Sequence, residues 1–185
     1  MRLAVVMAAA CATIGLAACT PPGPATPPVK PAAVISPPAN APINTPATNG
    51  AKASALKAYN GYLAAYVTAA QTANWKTKSL DKYTADPLLQ QALLELQKLA
   101  DAGHAMKGRP TSHPVVTSVN ASTSPQTVLL TDCVGLANWT EIVKATGKPA
   151  SSSRAPYEAV SVVVVNYPRY GWLVQQSNQS KTPAC

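Results

Sequence analysis

The chain has no phenylalanine, only two histidines and seven acidic residues among its 185. Each shortage excludes something. Without Phe, the seven Tyr and three Trp must supply every large ring of the core. There are no paired carboxylates in one motif, no Ser-His-Asp arrangement, no CxxC and no glycine-rich phosphate loop. Hydrolysis, nucleotide chemistry and metal binding are therefore left without a recognisable site, and no cofactor is implied. No repeat of domain-building length is visible either.

What the chain does have begins at its first residues. Met1-Arg2 is followed by an apolar stretch from Leu3 to Leu16 and the small pair Ala17-Ala18. One positive charge, a short apolar run and small residues at the cut make residues 1–18 a signal peptide. A spanning helix needs about 20 apolar residues, and this run is shorter and is followed by prolines. Leu16-Ala17-Ala18-Cys19 resembles the bacterial lipobox, in which the cysteine thiol receives diacylglycerol and becomes the new N-terminus. Cys19 is accordingly the expected lipidation site. Two acyl chains, at about 0.8 kcal/mol per buried methylene, hold a protein stably on a bilayer. The expected location is the extracytoplasmic face of the cell membrane.

Residues 19–50 carry the lipidated Cys and a Pro-rich tether. This stretch holds more than half of the chain's 18 prolines and little bulky apolar surface, too little to offset the entropy of ordering. At about 3.1 Å per residue, an extended Pro-rich tether of this length reaches on the order of 90 Å from the bilayer.

Residues 51–185 read as a single domain. Leu56, Tyr59, Leu63, Tyr66, Val67 and Ala70 recur at the spacing of one helical face. A second helix is expected from Asp86-Pro87 through Leu99, with Asp86 as cap and Gly103 as stop. Between them Ser79 suits the cap of a short helix. Beyond Pro110 the pattern turns β-branched: Val115–Asn120, Gln126–Val134, Ala159–Tyr167 and Gly171–Ser177, with a shorter strand in Trp139–Thr146. Tyr167-Pro168-Arg169-Tyr170-Gly171 predicts a hairpin between the last two long strands. Helices first and strands second give the α+β class, N-terminal helices packed on an antiparallel sheet.

At these residues the domain resembles a group of actinobacterial secreted proteins and lipoproteins with a nuclear-transport-factor-2-like fold. The carriers are LKAYNGYLAAYVTAA, ADPLLQQAL, KGRPTSHPVVTSV, TVLLTDCV, ATGKPA and AVSVVVVNYPRYGWLVQQS. The resemblance implies a cone of helices on a strongly curved sheet, often enclosing a pocket. Enzymes and pure binding proteins share that fold, so it does not choose a function.

Cys11 leaves with the signal peptide and Cys19 is acylated, so Cys133 and Cys185 remain to form one disulfide. Candidates for chemistry are few, and no catalytic or metal-binding residue is assigned. His104 follows Gly103 and His113 precedes Pro114, which puts both on expected loops. Asp132 lies in an apolar strand, where it either faces a pocket or points outward, opposite to Cys133. Tyr59, Tyr62, Tyr66, Tyr83, Trp75, Trp139 and Trp172 are the large rings, either core or in part the lining of an apolar pocket, for which Tyr59, Tyr66, Trp139 and Trp172 are the candidates. Lys76, Lys78, Lys82, Lys107 and Arg109 suit an anionic envelope polymer or lipid headgroups, but Asp81, Asp86, Glu95 and Asp101 are interspersed. The net charge of +8 does not imply nucleic acid for an extracytoplasmic protein. Two functions stay open: a non-catalytic binding or adaptor module acting on an envelope protein or polymer, and a pocket protein that binds or transforms a small apolar molecule.

Overall fold

Small and apolar residues at three-and-four spacing wind the chain into α1, Pro46–Thr72, and a shorter amphipathic run gives α2, Leu88–Asp101. The computed structural model describes residues 46–150, 155–179 and 185. The chain divides into two units, Met1–Pro37 and Pro38–Cys185, and all described residues lie in the second. The expected signal peptide, Cys19 and nearly all of the tether fall outside the described residues. α1 begins at Pro46, so its first turn lies within the segment read as tether.

Six strands complete the domain: β1 His104–Gly108, β2 Val115–Asn120, β3 Gln126–Gly135, β4 Trp139–Val143, β5 Tyr157–Tyr167 and β6 Gly171–Gln179. β2, β3, β5 and β6 form a sheet in that order, each neighbouring pair antiparallel, while β1 pairs β4 as a separate ribbon. The β5–β6 hairpin turns where the sequence placed it, closing with Tyr167 opposite Gly171. The architecture is α+β, two helices packed against antiparallel sheets.

The sheet's buried face follows strand alternation. Val128 and Leu130 on β3, Val162 and Val164 on β5, and Val174 on β6 are all at most 1% exposed. α1 lies over this face mainly with alanines, among them Ala51, Ala55, Ala58 and Ala70, which let its backbone come close. Of the face expected, Tyr59, Val67 and Ala70 are buried, but the helix is rotated so that Leu56, Leu63 and Tyr66 sit half-buried at its edge and the alanines and Tyr62 point in. Leu88, Ala92 and Leu96 are the buried stripe of α2, and full burial of a leucine such as Leu96 contributes about 2–3 kcal/mol. Gly61 leaves room on α1 for the Tyr83 ring, which occupies the place a Cβ would take.

Local signals were used differently from what the sequence suggested. Pro87, not Asp86, stands at the N-cap of α2, and no side chain caps that end. Ser79 precedes a single turn, Leu80–Lys82, but its hydroxyl bonds Thr77 at 2.8 Å instead of capping. That stretch is held by backbone: Val174 N–H donates to Tyr83 C=O at 2.8 Å and Ala85 N–H to Val174 C=O at 2.9 Å. His104 is the first residue of β1, not a loop residue. HAMKG is short and has no β-branched residue, so it carries no strand signal of its own; pairing with Trp139–Val143 makes it a strand.

Cys133 lies on the exposed face of β3 and is bonded to Cys185, 52 positions on in the sequence, with Cα atoms 5.7 Å apart. Among the described residues no helix is long and apolar enough to cross a membrane.

Candidate functional site

α1, α2 and one end of the main sheet do not close against each other, and the gap is a cleft of about 320 Å³. Helix periodicity builds one wall. Tyr59, Tyr62 and Tyr66 follow at intervals of three and four, a spacing that stacks them along one side of α1. Neighbouring rings lie 6.3 Å and 6.1 Å apart, tilted by 40° and 44°. α2 contributes Leu88, Gln91, Ala92 and Glu95, at the same spacing. The sheet contributes Val134, Glu158 and Val160, with Ser177 and Gln179 at the end of β6. Leu136 and Trp139 add to the lining from the segment that leads into β4, as do Leu63 and Val67 from α1 and Pro110 from the loop after β1.

Of the residues proposed for a pocket from sequence, Tyr59, Tyr66 and Trp139 line this cleft. Asp132 and Trp172 do not. Trp172 is half-buried and packs against the core from β6. Asp132 faces inward, 4% exposed, and Cys133 faces out, as alternation along β3 requires.

Both oxygens of the Asp132 carboxylate are engaged. Tyr59 donates its hydroxyl to one oxygen at 2.9 Å, Ser112 donates to the same oxygen at 2.5 Å, and the His113 backbone N–H donates to the other at 2.7 Å. These bonds tie α1 and the loop before β2 onto β3. A buried carboxylate is tolerated because its charge is met by donors on both oxygens. Tyr59 is pushed well above its ordinary pKa, first by burial and then by the adjacent Asp132 carboxylate, so it stays a hydroxyl and a donor. Its ring meets the cleft while its hydroxyl is turned to Asp132.

The histidines lie elsewhere. His104 Nδ1 is 2.6 Å from Glu141 Oε1 on the β1–β4 ribbon. His113 is exposed and enters the polar cluster only through its backbone. Among the described residues no group of three or more His, Cys, Asp or Glu is placed to hold a metal ion.

Tyr62, one of the rings that the sequence offered for core or pocket, lines the cleft between Tyr59 and Tyr66. Three contributors lie outside the sequence reading of the site. Glu158 was legible, because it shares the inward register of Val160, Val162 and Val164. Glu95 follows Leu88 and Ala92 at helical spacing, though its acidity suggested a solvated face. Ser112 gave no signal: its contact with Asp132 depends on how a loop returns to the sheet.

No protein-family model matches the chain, and no curated protein does. Among solved structures, the chain is similar to the intermembrane space region of the chloroplast protein ARC6. The identity is 13% and the TM-score 0.46, over 69% of this chain and 94% of that one. At that level the likeness identifies neither a family nor a function.

Proposed function

We propose that this chain is a lipid-anchored binding module of the cell envelope, non-catalytic, whose domain holds a small and largely apolar molecule in the cleft between α1, α2 and the sheet. The observation that carries the reading is the cleft itself. A space of about 320 Å³ walled by Tyr59, Tyr66, Trp139 and aliphatic side chains, with Gln91, Glu95, Glu158, Ser177 and Gln179 among them, has the size of a small-molecule site and both apolar and polar groups to hold one. The address rests on Leu16-Ala17-Ala18-Cys19 and the Pro-rich stretch after it. The finer fold reading, a nuclear-transport-factor-2-like cone, draws on two helices laid over one face of a four-stranded antiparallel sheet with a gap left between them.

Binding is favoured over transformation because the groups best suited to move a proton are engaged elsewhere. Asp132 accepts from three donors and lies outside the cleft lining, and His104 is paired with Glu141. Asp132→Asn keeps an acceptor for His113 and can donate to the two hydroxyls, so it tests chemistry without dismantling the cluster.

Complementation of a strain lacking the protein tests both halves. Asp132→Asn and His104→Ala should restore function. Leu63→Trp, which fills the cleft, and Cys19→Ala, which removes the anchor, should not, and intact-mass analysis should give the mature wild type an acylated Cys19 at its N-terminus. A folded, anchored Asp132→Asn protein that fails, beside a soluble wild type that succeeds, would point to a reaction in the domain instead.

A further inference from the structure

The cleft's walls carry charge of one sign. Glu95 and Glu158 line it, and among the described residues no Lys, Arg or His does. This runs against a chain with 15 basic and seven acidic residues. Among the described residues neither carboxylate has a Lys, Arg or His within salt-bridge distance; the close acid–base contact, His104–Glu141, lies on the separate ribbon. Glu95 accepts one bond, from Tyr66 at 3.1 Å, and Glu158 is half-buried without a polar partner among the described residues.

A second feature is independent of the acids. Tyr62 lines the cleft and is 8% exposed, yet its hydroxyl has no hydrogen-bond partner among the described residues. No fully buried side-chain oxygen or nitrogen among the described residues lacks a partner, so this hydroxyl opens onto the cleft, where a ligand atom can meet it. Burial, with the Glu95 charge as the lesser cause, pushes Tyr62 above its ordinary pKa, so it presents a neutral oxygen and not a phenolate. Around it, Tyr59, Tyr66 and Trp139 bring further aromatic rings to the lining, and the negative face of an aromatic ring attracts cations.

We infer that the cleft takes an organic cation, an apolar body carrying an alkylated ammonium, which the aromatic rings surround and Glu95 and Glu158 neutralise. The inference rests on the proposed binding function and names the class of its ligand. Anions and acidic lipids headgroup-first are excluded by the same two carboxylates.

The test compares choline with its uncharged isostere 3,3-dimethylbutan-1-ol on the full wild-type domain, by ligand-observed NMR and by quenching of Trp139 fluorescence in a Trp75→Phe/Trp172→Phe background. Choline should bind at least about tenfold more tightly than the alcohol. Glu95→Gln/Glu158→Gln should bring the two within about twofold by weakening choline alone. Equal or better binding of the alcohol would overturn the cation while leaving an apolar-ligand cleft in place, and so would unchanged choline binding in the folded double variant. Failure of choline together with uptake of the neutral dye N-phenyl-1-naphthylamine has the same meaning. If none of the three probes binds, the cleft reading falls with the cation.

Discussion

Tyr59 and Asp132, 73 positions apart in sequence, meet through a 2.9 Å hydrogen bond that joins α1 to β3 behind the cleft wall. The ring on one side of that bond faces a ligand-sized space, and the carboxylate on the other fixes the loop that carries Ser112 and His113. Tyr59→Phe keeps the ring and removes the bond, leaving Asp132 two donors. It should lower stability by about 1–2 kcal/mol. Asp132→Ala strands three donors at once and should cost more, about 3 kcal/mol or above. Urea midpoints of the two variants check the order; equal losses would mean that the cluster does not act through the carboxylate.

Tyr59 and Tyr62 set the alkaline limit. Both have pKa values raised in the folded chain above the ordinary value of about 10. The folded state therefore holds these protons more tightly than the unfolded one. Their contribution is fully present below about pH 10 and is lost as pH rises above it, because unfolding then releases protons. Thermal unfolding between about pH 8 and 11 should show a flat region and then a fall, shallower in Tyr62→Phe. A fall beginning well below that region would need another group.

Gly61 should resist even alanine. In an open helix Gly→Ala gains about 1 kcal/mol, but here the added methyl meets the Tyr83 ring. Gly61→Ala should lose about 1–3 kcal/mol by overpacking. Adding Tyr83→Ala should turn the same Gly61→Ala change into a gain. A double-mutant cycle on chemical stability decides; additive effects would contradict the contact.

The Cys133–Cys185 bond closes a long loop from the exposed face of β3 to the last residue. Chain-entropy estimates give such a loop up to about 4 kcal/mol. Cys133→Ser/Cys185→Ser should unfold at lower temperature, and a non-reducing peptide map should join the two cysteines. Free thiols at both positions in the protein isolated from its native cells would remove this brace.

The long elements were legible because their apolar periods are long. The β5–β6 hairpin and β3 follow from alternating β-branched runs bounded by turn residues, and α1 and α2 from helical spacing. What escaped was set by tertiary contact. β1 has no strand propensity and exists through β4. α1 turned its alanines inward because close packing on a valine-rich face favours small side chains over the larger leucines. Asp132 could be given two faces from sequence but not its donors, since Ser112 reaches it through a loop. Tyr59, Tyr66 and Trp139 were named for a pocket on ring size alone, and Trp172, equally large, went to the core edge because β6 carries it away from the cleft.

Native mass spectrometry of the protein purified from the cells that make it tests most directly whether the cleft holds a ligand. The wild type should carry a small-molecule adduct that is lost on collisional activation, and Leu63→Trp, folded to the same thermal stability within a few degrees, should carry none. No adduct in either protein, or the same adduct in both, would contradict a ligand held between α1, α2 and the sheet.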